Sequence, residues 1–93
     1  MIRVSVFYPA GDGLTFNHDY YKSTHVPMCV KAWNVRAEID KGANGPYSAA
    51  VHFFFDSMDS VQAAMDGPEI GPIMADIPNY TNAAPVIQVS EVV

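Results

Sequence analysis

The sequence predicts one α+β domain over residues 1–93, with the element order β-α-β-β-α-β. Apolar and β-branched residues alternate in four short segments, as they do in strands with one buried face. Between these segments, two stretches place apolar residues at helical spacing. A chain of 93 residues has room for one domain, so we expect all of these elements to share a single core.

The first strand is predicted at residues 2–8, and a loop rich in turn residues follows it. Asn17 is suited to cap the first helix, and Phe16 and Tyr21 have the spacing of a hydrophobic staple around that cap. One face of this helix carries Tyr21, His25, Met28 and Cys29. Pro27 lacks an N–H and disfavours helix at the residue before it, so we expect a kink or a restart there.

Alternation and turn residues predict the rest of the chain. The elements are a second strand (32–40), a hairpin connection (41–46), a third strand (47–55), a second helix, a short helix (69–76) and a last strand (86–92). Asp56 or Ser57 caps the second helix, which Gly67 and Pro68 end. This order is the ferredoxin-like arrangement, a four-stranded antiparallel sheet with helices on one face.

The third strand is apolar on both of its faces, which predicts a second buried surface. Ala50, His52 and Phe54 share the face that alternates with the core positions. Helices cover one face only, and a large exposed apolar patch usually marks an interface. We therefore expect a homodimer through the open sheet face, with a two-fold axis. A loop at residues 68–84 that crosses this face is the alternative.

The net charge of −5 argues against nucleic acid and anionic membrane as partners. The five Lys and Arg residues do not cluster, and no apolar run approaches the roughly 20 residues of a membrane span. Cys29 is the only cysteine, which excludes an intrachain disulfide and fits a reducing compartment. No signal-peptide pattern opens the sequence. We expect a cytoplasmic protein.

The segment Phe16-Asn17-His18-Asp19-Tyr20-Tyr21, followed by His25 and Pro27, resembles the signature of the EthD family, named for ethyl tert-butyl ether degradation. The resemblance extends to residues 53–57 and 76–81 and to the last strand. It implies a dimeric α+β barrel. The family and its structural relatives include cofactor-independent monooxygenases, isomerases, decarboxylases and dehydratases that act on aromatic or lactone-like molecules. Fold similarity does not choose among these reactions.

His25 is the main catalytic candidate, because imidazole suits acid or base chemistry at neutral pH and this side chain faces the sheet. A structural histidine that bonds a backbone carbonyl near Pro27 is the alternative. Tyr21 shares its helical face and is a candidate to hold a substrate oxygen, or to pack in the core. Tyr20 is rotated away by about 100°, which favours a packing role over ligand binding.

The remaining candidates would bind a ligand. His52 needs a partner, either in the pocket of His25 or at the dimer interface. Trp33, Phe54 and Tyr80 suit an apolar pocket for a flat molecule, or plain core packing. Asp76 lies in a segment that could close over this pocket, or it acts as a cap.

We expect neither a metal site nor a bound cofactor. His18, His25 and His52 lack the spacing of known metal-binding motifs, although haem ligation by His25 remains an alternative. The leading hypothesis is a homodimer that binds a small apolar, aromatic or cyclic carbonyl-bearing metabolite and transforms it by proton transfer or oxygenation centred on His25. One rival is a non-catalytic accessory protein that binds a small molecule, and another is a scaffold with a packed interior.

Overall fold

A computed structural model describes all residues from Met1 to Val93. The elements are β1 (Ile2–Pro9), α1 (His18–Tyr20), a π-helical turn (Tyr21–His25), α2 (Val26–Trp33), β2 (Arg36–Lys41), β3 (Tyr47–Phe55), α3 (Met58–Asp66), α4 (Ile70–Asp76), a 3₁₀ turn (Ile77–Asn79) and β4 (Val86–Glu91). The strands form one antiparallel sheet in the order β2-β3-β1-β4. The predicted ferredoxin-like arrangement is confirmed.

The first helix begins as predicted and widens before Pro27. The Asn17 side chain accepts a hydrogen bond from the Tyr20 N–H (3.1 Å), and the rings of Phe16 and Tyr21 pack with centroids 5.0 Å apart. The expected kink at Pro27 takes the form of the π turn, in which the Val26 N–H bonds the carbonyl five residues back, at Tyr21. Helix α2 then continues from Val26.

The prediction of strand at residues 32–35 was wrong. Helix α2 extends through Trp33, and strand β2 begins only at Arg36. Asn34 ends the helix in the left-handed conformation (φ 51°), which asparagine tolerates better than most residues. The alternation of apolar and polar residues from Ala32 to Val35 is too short to distinguish a strand from a helix. The packing of the Trp33 ring on Phe53 (centroids 5.1 Å apart) stabilises the helical conformation.

The core lies between the helices and one face of the sheet. Val4, Val6 and Tyr8 of β1 pair with Phe53, Val51 and Ala49 of β3, and all point toward the helices. Helix α4 covers this face with Ile73, whose side chain is 4% exposed. The other face has no helix over it and carries the alternate residues of every strand. None of the helices combines the length and the apolar character that crossing a membrane requires.

Helix α4 offers a matched test of this core. We expect Ile73→Ala to lower the free energy of unfolding by about 2–5 kcal/mol, because it removes buried methyl groups and leaves a cavity. Met74→Ala, on the same helix but 49% exposed, should change it by about 0.5 kcal/mol or less. Urea denaturation measures both. Equal losses in the two variants would contradict the assignment of α4 to the core.

Candidate functional site

The Asp76 carboxylate, at the end of α4, joins three side chains. Its Oδ2 accepts a hydrogen bond from His25 Nδ1 (2.8 Å), and its Oδ1 accepts from the Tyr20 hydroxyl (2.7 Å) and from Asn79 Nδ2 (2.9 Å). Burial alone would raise the pKa of this carboxyl, but the hydrogen bonds from Tyr20, Asn79 and His25 hold the pKa below its usual value. Asp76 is therefore an anion at neutral pH.

Asp76 fixes the tautomer of His25. A carboxylate only accepts hydrogen bonds, so Nδ1 carries the proton and Nε2 keeps its lone pair when the imidazole is neutral. Burial lowers the pKa of His25 below its ordinary value, although the Asp76 charge opposes this shift. The imidazole is therefore neutral at pH 7, and Nε2 is its basic nitrogen.

Two buried tyrosines extend this arrangement from Nε2. The Tyr80 hydroxyl donates to His25 Nε2 (3.2 Å), and the Tyr8 hydroxyl then donates to the Tyr80 oxygen (2.8 Å). Burial raises the pKa of both phenols, so both stay protonated. The four groups form one oriented chain of hydrogen bonds from Tyr8 to Asp76.

Tyr21 lies beside this chain with a free hydroxyl. Its ring stacks on His25 (centroids 5.6 Å apart, planes 14° apart), and its side chain is 1% exposed. The hydroxyl is buried and makes no hydrogen bond of good geometry, although the Tyr8 phenol lies close enough to contribute to the raised pKa of Tyr21. Burial raises its pKa well above the ordinary value, so it remains an O–H donor. An unpaired buried hydroxyl costs about 1–3 kcal/mol, which a bound acceptor would remove.

Part of this arrangement borders a cavity of about 80 Å³ between the helices and the sheet, whose lining does not include Tyr20, Asp76 or Tyr80. Tyr8, Tyr21 and His25 line one side, and the other walls are aliphatic and aromatic, with Met74 and Ile87 exposed at the rim. A groove of about 590 Å³ lies between the α2–β2 connection and α3, but it contains none of the linked titratable groups. We assign the candidate site to the smaller cavity because acid–base chemistry needs those groups.

Comparison with known proteins identifies the family. A scan against protein-family models finds no match, and neither does a search of curated proteins. Among solved structures, an EthD-like protein from Ralstonia eutropha JMP134 is 37% identical, with a TM-score of 0.91, over 99% of this chain and 91% of that one. The chain belongs to the EthD family.

More distant structures share the fold of this EthD protein. SnoaB, a cofactor-independent oxygenase from Streptomyces nogalater, is 11% identical (TM-score 0.69) over 98% of this chain and 90% of that one. A dimeric protein of unknown function and ferredoxin-like fold from Bacteroides fragilis is 14% identical (TM-score 0.59) over 98% of this chain and 95% of that one. At these identities, the likeness concerns the fold alone.

The structure separates the predicted site residues into two sets. His25, Tyr20, Tyr80 and Asp76 are joined by hydrogen bonds, and Tyr21 stacks on His25. Of the predicted residues, His25, Tyr21 and Trp33 line the cavity. His52 and Phe54 lie on the opposite face of the sheet. His52 finds its partners there, bonding Ser5 Oγ (2.8 Å) and Asp40 Oδ2 (3.0 Å).

Sequence reasoning missed two features of the site in this EthD protein. Tyr8 was assigned only to the first strand, although its even register with Val4 and Val6 places it on the buried face. The packing role favoured for Tyr20 was incomplete, because its hydroxyl bonds Asp76.

No group of three metal-ligating side chains is present. Burial raises the pKa of the Cys29 thiol to about 12, which makes this thiol a poor nucleophile.

The pairing of His25 with Asp76 predicts the effect of Asp76→Asn. Removing the carboxylate leaves burial unopposed, so the pKa of His25 should fall further. The unfolded chain takes up this proton near the usual pKa of about 6.5, so the free energy of unfolding should decline more steeply as the pH falls below that value. NMR titration of the imidazole measures the shift.

Asp66→Asn is the matched control, because Asp66 lies in α3 and bonds only Gln62. It should leave the His25 titration where the wild type has it. A His25 pKa that rises or stays constant in Asp76→Asn would show that the carboxylate does not act on the imidazole.

Proposed function

We propose that this EthD protein binds a small, neutral, cyclic molecule with a carbonyl or hydroxyl oxygen and removes a proton from it, with His25 as the general base. The observation that carries the proposal is the His25–Asp76 pair at the edge of a largely apolar cavity. A neutral imidazole of fixed tautomer next to an apolar pocket is suited to accept a proton at neutral pH.

The proposed step is a proton transfer to His25 Nε2. A C–H or O–H bond of the substrate breaks, the proton goes to Nε2, and the electron pair remains on the substrate as an enolate or similar anion. The long hydrogen bond from the Tyr80 hydroxyl to Nε2 (3.2 Å) breaks when Nε2 accepts the substrate proton. Asp76 stabilises the imidazolium, and the Tyr21 hydroxyl donates to the anionic oxygen.

The residues that line the cavity favour binding of a neutral ligand over binding of an anion. None of its lining residues is Lys or Arg, so a carboxylate or phosphate would lose its hydration without gaining a counter-ion. Its volume of about 80 Å³ is below the roughly 150 Å³ that holds benzene in an engineered core. A six-membered ring therefore requires Met74, exposed at the rim, to move outward.

The anion formed in this step has two possible fates. Reprotonation at another carbon gives an isomerisation, with the proton returned by His25. Transfer of electrons from the anion to dioxygen gives an oxygenation, the class of reaction of SnoaB, which shares this fold. Both fates begin with the same proton removal, so a test of that step does not depend on which one follows.

The second candidate is an accessory protein that binds the same molecule without changing it. The bond from Tyr80 to Nε2 favours this alternative, because it leaves no free lone pair on the imidazole of the empty site. Under this proposal a ligand occupies the cavity and bonds Tyr21, and no proton moves.

Cyclohexanone, a neutral ring with exchangeable α-protons, distinguishes the two candidates. Trp33 is the only tryptophan and lines the cavity, so its fluorescence reports binding. We expect cyclohexanone to change this fluorescence, and cyclohexanecarboxylate, an anion with the same six-membered ring, not to. We also expect the protein to accelerate exchange of the α-protons in D₂O, measured by NMR, and His25→Gln to lower this rate by about 100-fold or more.

His52→Gln is the control, because it removes an imidazole from the opposite face and should leave the exchange rate unchanged. Equal rates in wild type and His25→Gln would rule out general-base catalysis by His25. Binding of cyclohexanone without exchange would favour the accessory protein. Equal binding of cyclohexanecarboxylate would refute the preference for neutral ligands.

We further propose that the open sheet face forms a homodimer interface. Both arginines of the chain lie on this face, over the ring of Phe54 (4.0 Å for Arg36 and 5.3 Å for Arg3). Glu38 and Asp40 share the face and balance their charge, so the net charge of −5 lies elsewhere on the surface. The balanced face is where two acidic copies meet with least repulsion. The dimeric B. fragilis structure of this fold supports the proposal.

Reversing one charge on this face tests the interface. We expect Arg36→Glu to raise the dimer dissociation constant by tenfold or more, since like charges across an interface cost several kcal/mol and about 1.4 kcal/mol corresponds to a factor of ten. Lys31→Glu, an equal change of charge on exposed α2, should have little effect. Sedimentation equilibrium measures both. A monomeric wild type, or equal effects of the two variants, would refute the interface.

A further inference from the structure

The π turn at Tyr21–His25 determines which side chains can reach Asp76. In an α-helix, residues five apart are rotated by about 140° from one another, so Tyr20 and His25 would point to different sides. In a turn with bonds to the fifth residue, residues five apart take the relation that residues four apart have in an α-helix. Here Tyr20 and His25 both bond the Asp76 carboxylate.

Pro27 accounts for the position of this turn. It has no N–H to bond Ser23, four residues back, and its ring would clash with the Ser23 carbonyl in a regular α-helix. Ser23 is the central residue of the π turn, and Val26, directly before the proline, bonds the fifth residue back. The Ser23 hydroxyl also donates to the Asp19 carbonyl (2.7 Å), a side-chain contact that often accompanies a local bend.

Pro27 itself is exposed and makes no contribution to the core. Its effect on the site must therefore pass through the backbone. We infer that Pro27 is a positioning residue, which maintains the π turn and so brings Tyr20 and His25 to one carboxylate. The inference rests on the proposed function of His25, but the geometry that it concerns is measurable without a substrate.

Imidazole NMR of ¹⁵N-labelled protein tests this inference. The His25 Nδ1 proton, held by Asp76, should give a slowly exchanging low-field signal in the wild type. The bond to Asp76 also raises the pKa of Tyr20. We expect Pro27→Ala to restore a continuous α-helix, in which Tyr20 and His25 cannot both bond Asp76. The variant should therefore lose the low-field His25 signal, or return the Tyr20 pKa to about 10, or do both.

Pro72→Ala is the matched control. Pro72 is exposed near the start of α4, where its missing N–H has no helical partner to lose, and no π turn precedes it. This variant should keep both signals. Urea denaturation should show that Pro27→Ala still unfolds cooperatively, because the restored helical hydrogen bond offsets part of the cost of separating His25 and Tyr20 from the Asp76 carboxylate. Loss of the signals in a stable protein separates positioning from general destabilisation.

Deletion of Thr24, an exposed residue within the turn, provides a second variant when it is combined with Pro27→Ala. The deletion leaves Tyr20 and His25 four residues apart, and on a regular α-helix this spacing gives them the relation that the π turn gives them at five. Both hydrogen bonds to Asp76 that Pro27→Ala alone loses should therefore return in the double variant. Retention of both hydrogen bonds in Pro27→Ala, or failure of the Thr24 deletion to restore them in the double variant, would overturn the inference. Such a result would leave the base role of His25 intact, whereas loss of exchange activity without loss of these signals would bear on the proposed function alone.

Discussion

The site depends on one carboxylate. Asp76 is buried enough that its charge needs partners, and it receives three: His25 from the first helix, Tyr20 one turn earlier and Asn79 from the following 3₁₀ turn. The bond to His25 connects the end of α4 to the first helix across 51 positions of sequence. Removing the charge would leave a buried imidazole N–H and a phenol without acceptors, so the carboxylate sets the geometry of everything around it.

Burial and hydrogen bonding have opposite effects on the groups of the site. Burial keeps His25 neutral and the three tyrosines protonated, while hydrogen bonds keep Asp76 ionised. The result is one anion, one neutral base and a set of O–H donors around an apolar cavity. Tyr21 is the exception among the donors, because its hydroxyl has no partner within the protein. The buried N–H of Trp33 also has no partner, and both residues line the cavity.

The two faces of the sheet have separate chemistries, because strand residues alternate between them. Val4, Val6 and Tyr8 line the cavity, while Ser5 between them bonds His52 on the open face. A shift of register by one residue would exchange the two sets. The hydrogen-bonded Ser5–His52–Asp40 group and the Arg–Phe54 contacts therefore belong to a surface that is structurally independent of His25.

The sequence by itself determined the four strands, the N-cap at Asn17, the family and the inward direction of His25, because these depend on local periodicity, capping and a short contiguous motif. It did not determine the end of α2, where the packing of Trp33 on Phe53 overrides a weak alternation. Only the tertiary structure decided that Asp76 pairs with His25, that Tyr8 joins the chain of hydroxyls and that His52 stays apart. Tyr20 shows the reason most directly. Helical periodicity assumes 3.6 residues per turn, and the π turn before Pro27 rotates Tyr20 and His25 onto the same partner, a long-range contact that no local pattern contains.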